Sequence, residues 1–234
     1  MIVRPADGWL HLITQPDHAA LAHDVMEHWA PLRDAARRAS ILHAIREHDN
    51  GWRELDARPS ADPASGRVVD FIEAPAAVRQ AVWPRGVSRL SRDPRAAAQV
   101  AQHALVIYER NRGDAQWTEF FEEMAAHRDR LLDASEGTLE ALLEDYVFVR
   151  AGDLISLIVC NGWREPHTVG GWTVALEADR VMVSPDPFGG REAPYAVEAR
   201  AIPDAFYPSD AELRRAVDSA PVIRLEGTAT GRSR

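Results

Sequence analysis

The chain contains no lysine; every one of its 27 basic residues is an arginine. That excludes a Schiff-base lysine and the lysine of a phosphate-binding P-loop. Cysteine is almost as scarce. Cys160 stands alone, so an internal disulfide and a cysteine-built zinc cluster are excluded, and nothing calls for an oxidising compartment. Long apolar runs are missing as well. The best of them, LISLIVC from Leu154 to Cys160, falls far short of the roughly 20 residues a membrane helix needs. The first residues, MIVRPADGW, lack the apolar core of a signal peptide. A cytoplasmic location with no membrane partner is therefore expected. Positive charge is in deficit: 36 acidic residues against 27 basic ones leave a formal charge of −9. A nucleic-acid polymer is not an expected partner, because that affinity comes from cations neutralising phosphates. A small, anionic substrate held by a few arginines remains compatible with this balance, as does a homo-oligomer. The signatures GxSxG, HExxH and GxGxxG are absent too.

What the sequence does contain is mostly helical periodicity. Its 234 residues suffice for one domain with a substantial core, and a single domain over 1–234 is expected. Residues 2 to 14 read as a hairpin around Ala6-Asp7-Gly8. Asp17 to Trp29 and Ala36 to His48 carry apolar residues at helical spacing. Residues 57 to 90, with four prolines and two glycines, read as mostly loop with short helical turns, and a loop of that length is often functional, for example as a lid. Asp93-Pro94 opens a helix through Tyr108. Trp117 to Leu132 and Leu139 to Cys160 give two more, the last with a potential break near Gly152. From Trp172 onward, WTVALEA, RVMVS, YAVEARAI and PVIRLEG read as strands, with one helix from Ser209 to Ala220. The expected fold is mainly α (α+β overall): a body of about five helices over 15–165 and a small β appendage from 1–14 and 166–234, its sheet formed by the C-terminal strands and the N-terminal hairpin. The pentapeptide NGWRE occurs at 50 to 54 and again at 161 to 165, and both copies read as an Asn-Gly helix stop.

Helix phase selects the polar residues that face inward. His18 shares a stripe with Ala22, Val25 and Trp29, and His48 lies on the face of Ala44 and Ile41. By the same spacing His103 falls with Ala96 and Val100, His127 with Phe120 and Met124, and Asp153 with Tyr146 and Leu157. Asp153 stands out, because a carboxylate in an apolar stretch is costly unless it is paired or binds a metal. For each histidine the plain alternative is a hydrogen-bonded core residue. The combination says more: His18, the adjacent His48-Asp49 and Asp153 come from three helices and offer two imidazoles and two carboxylates, a set suited to Mn, Fe, Zn or a similar divalent ion. The helix end at His48 and Asp49 also carries a partial negative charge that favours a cation.

This ordered set resembles the ligand pattern of the HD-domain superfamily, helical metal-dependent phosphohydrolases. The wider pattern, TQPDHA at 14 to 19, EHDNGW at 47 to 52 and GDLISL at 152 to 157, is similar to a bacterial family known as domain of unknown function 3891, over nearly the whole chain. The superfamily resemblance implies an HD-like helical bundle and a divalent metal (Mn, Fe, Zn or Mg, one or two ions) on His18, His48, Asp49 and Asp153. His103 and His127 resemble the two further histidines of dinuclear members, some of which are diiron oxygenases. Many superfamily members carry a lysine shortly after the doublet, where this chain has Trp52. Asp49 would sit at the reacting centre, bridging two ions if both bind, and Asp56 would serve as general base if it faces the metal water. Arg53, Arg85 and Arg89 are candidates to hold phosphate oxygens, with Trp52 at the pocket mouth or packed beneath the loop. Three readings follow: a metal-dependent hydrolase of a small phosphorylated metabolite or nucleotide, a diiron oxygenase, and a non-catalytic ligand-binding protein with a degenerate site.

Overall fold

Asp7 and Gly8 both have positive φ, at 46° and 84°, the backbone of a tight two-residue hairpin turn. Around them β1 (Ile2–Ala6) and β2 (Trp9–Ile13) pair antiparallel. Thr14 then caps α1 (Gln15–Met26) by accepting from the Asp17 amide, with Pro16 in the first turn. In chain order follow α2 (Ala30–Arg33), α3 (Arg38–Glu47), a 3₁₀ turn at Asn50–Trp52, α4 (Arg53–Asp56), α5 (Ala76–Arg89), α6 (Pro94–Ile107), α7 (Thr118–Ala134) and α8 (Leu139–Asn161). The C-terminal part contributes β3 (His167–Val169), β4 (Trp172–Glu177), β5 (Arg180–Ser184), β6 (Glu192–Pro203), α9 (Asp210–Ser219) and β7 (Val222–Gly231). This is a computed structural model, and it describes residues 1–33 and 36–232.

All the strands join one seven-stranded sheet in the order β1-β2-β6-β7-β5-β4-β3. It is antiparallel except where β5 runs parallel to β7. The hairpin docks through β2 on β6, so that Leu10 faces Ile202. Strict alternation along β6 turns Ala193, Tyr195, Val197 and Ala199 to the covered face, against which α1 packs. The largest apolar cluster runs without interruption from Ile2 through the helices to Ala229 in the sheet. The mainly α expectation is corrected by this sheet. About half of the described residues are helical, and the fold is α+β. The strands are short and far apart in sequence, so their period-2 pattern shows each strand but not how many share one sheet.

Three local expectations also change. Ala76–Arg89 is a helix of 14 residues with Pro84 inside it. Packing of Val82, Trp83 and Val87 outweighs the hydrogen bond that proline removes. Helix α8 runs unbroken past Gly152, where an added Cβ would stand 3.0 Å from Met26 Cγ and 3.1 Å from Ile45 Cγ2. That glycine lets α1 and α3 approach α8. The two NGWRE copies diverge as well. Gly162 ends α8 in the left-handed region at φ 68°, as a helix stop should. Gly51 has no positive φ; a Cβ there would lie 2.0 Å from the Val82 carbonyl oxygen. Its role is close contact with α5. Among the described residues no helix is long and apolar enough to cross a membrane.

Candidate metal centre

Helices α1, α3, α6 and α8 pack around one buried point. Each presents a polar residue there from an otherwise apolar face: His18 from α1, His48 and Asp49 from the end of α3, His103 from α6 and Asp153 from α8. The imidazoles are at most 2% exposed and Asp49 7%. Ring centroids lie 4.9 Å apart for His18 and His48 and 5.1 Å apart for His48 and His103.

The ring nitrogens divide into two sets. Every Nδ1 is engaged on the outer side. His48 Nδ1 donates to the Ile45 carbonyl at 2.7 Å, His18 Nδ1 lies 2.9 Å from Ser156 Oγ, and His103 Nδ1 lies 3.0 Å from Tyr146 Oη. Ser156 donates its own proton to the Asp153 carbonyl, which leaves its oxygen to accept from His18. Every Nε2 faces a carboxylate. His18 Nε2 is 2.8 Å from Asp49 Oδ2, His48 Nε2 is 3.3 Å from Asp153 Oδ1 and 3.6 Å from Asp49 Oδ2, and His103 Nε2 is 3.7 Å from Asp153 Oδ2. His48 Nε2 is shielded from solvent and has no hydrogen-bond partner. Imidazoles whose outer nitrogen is fixed by an oxygen while the inner nitrogen faces carboxylates are arranged as metal ligands are. At this centre two triads could hold an ion, His18/His48/Asp49 and His48/His103/Asp153, each with its donor atoms within 4.8 Å of one another; a third such group, His23/Asp24/Glu27, is less buried and lies apart at the end of α1.

The electrostatics agree. Burial alone would strip the charge from His48, but Asp49 and Asp153 beside it win, and its pKa is pushed up to about 9. Burial would likewise raise the Asp49 and Asp153 carboxyls, yet the imidazoles hold both below the usual carboxylate range. His103 feels burial most strongly and is pushed down to about 4, despite Asp153. The pocket thus favours positive charge at His48 and keeps His103 a neutral donor.

The other sequence candidates lie elsewhere. His127 sits on α7, 3.5 Å from Glu123 and 3.1 Å from Arg130, and is not among the converging residues. The buried residues of α7 are Phe120, Phe121, Met124 and Leu132, and His127, on the stripe of Phe120 and Met124, is only half-buried. Asp56 is buried, but it accepts from the Gln15 amide at 2.6 Å and pairs with the Met1 amino group at 2.5 Å. Arg89 bonds the Asn50 carbonyl and Glu54, Arg85 lies 3.4 Å from Glu54, and Arg53 lies 3.8 Å from Glu47. These arginines fasten the segment after the doublet. Trp52 is 4% exposed and lines a cavity of about 150 Å³ that opens beside Asp49, His103 and Asp153.

Sequence reasoning passed over four residues. Ser156 and Tyr146 orient two of the imidazoles, and their offsets from Asp153, three and seven on one helix face, were the available signal. Phe71 and Arg79 line the cavity, and both come from the segment read as loop. No curated protein and no solved structure matches the chain. The family model described as a protein of unknown function, DUF3891, matches residues 1–204, and the chain belongs to that family.

Proposed function

We propose that His18, His48, Asp49, His103 and Asp153 bind a single divalent transition-metal ion, and that the protein is a hydrolase of a small phosphorylated metabolite or nucleotide bound in the adjoining cavity. The observation that carries this reading is His48 Nε2, a buried nitrogen without a partner, fixed by its Nδ1 bond and aimed between two carboxylates. Mixed nitrogen and oxygen donors suit Mn, Fe or Zn better than Mg, which prefers oxygen ligands. A divalent ion there would supply a Lewis acid and lower the pKa of a bound water from about 15.7 toward about 7. The protein's part is to orient the three imidazoles through Ile45, Ser156 and Tyr146, with the proton of His48 given up when an ion binds. Asp49 and Asp153 supply the negative charge, and Asp49, His103 and Asp153 open toward the cavity. The HD-like phosphohydrolase resemblance agrees with the order of His18, His48, Asp49 and Asp153.

One ion is favoured over two. Both triads use His48, whose single inner nitrogen serves one ion, and His127 is remote. That arrangement counts against the diiron oxygenase reading. The non-catalytic reading would be favoured by histidines bonded to one another, whereas here each inner nitrogen faces a carboxylate.

Elemental analysis of the purified protein beside His48→Ala and Asp153→Ala tests the site, with circular dichroism to confirm that each variant folds. Near-stoichiometric manganese, iron or zinc lost in both variants is the expected result. Metal retained unchanged in both would overturn the assignment. Release of inorganic phosphate from a panel of phosphomonoesters, abolished by the same substitutions, tests the hydrolase reading.

A further inference from the structure

Two arginines, Arg79 and Arg110, line the cavity beside the metal centre; Arg110 is exposed, whereas Arg79 has a shielded nitrogen with no acceptor among the described residues. Arg79 lines it from α5. Its guanidinium carbon stands 5.4 Å from the Trp117 ring centroid and 5.8 Å from that of Tyr108, so aromatic faces hold the head group. Its Nε is shielded from solvent and lacks a hydrogen-bond partner, and among the described residues no carboxylate lies within ion-pair distance of the group. Arg53, Arg85 and Arg89 differ, each being paired with a glutamate. A guanidinium carries five N–H donors in a fixed fork suited to an oxyanion, and leaving the shielded Nε–H of Arg79 unmatched is unfavourable. Tyr108, whose phenol burial pushes up to about 12, keeps its proton beside Arg79 as a further donor.

The size and walls of the cavity limit what it can take. Its volume of about 150 Å³ is that of a cavity known to accept one benzene ring. Beside the carboxylates Asp49 and Asp153 and the arginines, its walls include the apolar side chains of Trp52, Phe71, Trp83 and Leu157.

We infer that Arg79 is the oxyanion-binding residue of this cavity, and that the cavity takes a ligand whose enclosed part is no larger than a single ring and carries one carboxylate or phosphate-like group. This narrows the substrate class of the hydrolase reading and rests on that reading for the chemistry at the metal centre. Binding of the anion itself needs no metal.

The test is calorimetric titration of the full chain, in chelator, with phenylphosphonate and with benzoate. Neutral benzyl alcohol is the control ligand, and Arg79→Met, Arg79→Lys and Arg85→Gln are the variants. At least one anion should bind wild type about tenfold or more tightly than benzyl alcohol, consistent with a charge-assisted hydrogen-bonded pair. Arg79→Met, which keeps the apolar stem, should lose that preference. Arg79→Lys should retain part of it, and Arg85→Gln should match wild type. The two anions distinguish planar from tetrahedral groups. Neither anion binding better than benzyl alcohol, or a preference that survives Arg79→Met, would overturn the inference. Should Arg79→Met fail to fold, Arg79→Lys decides: affinity for both anions equal to wild type would overturn it. Because the titrations run in chelator, absence of metal binding would sink the hydrolase reading while leaving the Arg79 result legible.

Discussion

At the scale of single residues, the centre depends on outer hydrogen bonds as much as on the inner donors. Tyr146 and Ser156 hold His103 and His18 by Nδ1 and touch no carboxylate of the centre. Tyr146→Phe and Ser156→Ala should each weaken metal affinity about tenfold to a hundredfold, the usual cost of losing such a partner, with little change in the circular dichroism spectrum. His127→Ala should leave affinity unchanged, since its neighbours are Glu123 and Arg130 on its own helix. Competition against a chromophoric chelator measures all three. An unchanged Tyr146→Phe affinity would count against the assigned role of His103. Phase arithmetic placed His18, His48, His103 and Asp153 inward and could not separate His127 from them. Spacing tells which side of a helix a residue occupies, not whether another element covers that side.

At the scale of elements, glycines set how near the carriers of the site come to each other. Gly51 lies in the turn that follows the His48-Asp49 doublet and meets α5 at the Val82 carbonyl, 2.0 Å from where a Cβ would stand. Gly51→Ala should therefore destabilise the protein by about 1–3 kcal/mol, the usual range for overpacking, read as a lower urea midpoint. A midpoint equal to wild type would show that the turn can shift freely. Gly152 precedes Asp153 and sits where Met26 and Ile45 press on α8. Gly152→Ala should displace Asp153 from His48 and lower metal affinity as well as stability, which competition against a chromophoric chelator measures. The sequence carries both glycines openly, yet each reads there as a helix breaker. Whether a glycine serves a turn or a close approach depends on what crosses it.

At the scale of the whole molecule, the clustered charges tie stability to pH and to metal. His48 is raised from 6.5 to about 9, so the folded protein keeps a proton there that the unfolded chain gives up. Stability contributed by His48 is complete below pH 6.5 and declines as pH rises through about 9. His103 is lowered to about 4, so between that value and 6.5 the unfolded chain binds a proton the folded form refuses, and stability falls as pH falls. The metal-free protein should be most stable near pH 6.5, with urea midpoints declining on either side. A midpoint rising steadily to pH 9 would contradict the charge state assigned to His48. A bound ion would replace the proton at His48 and should flatten the alkaline decline. At a free concentration 100 times its Kd it should add about 2.7 kcal/mol, a melting shift of several degrees for a chain of this size, reversed by chelator.

The sequence alone determined the candidate ligands, most of the helices, the terminal hairpin and each C-terminal strand except β3, because those follow from local spacing and turn chemistry. Its missing lysine and solitary cysteine closed off whole classes of chemistry. Only the tertiary structure decided that the sheet has seven strands with β5 parallel to β7, that the segment bearing Pro84 is a helix, that His127 lies outside the cluster, and that Arg79 and Arg110 rather than Arg53, Arg85 or Arg89 line the cavity. Each of those outcomes depends on contacts between residues far apart in the chain. Periodicity along a single element carries no information about which other element will cover it.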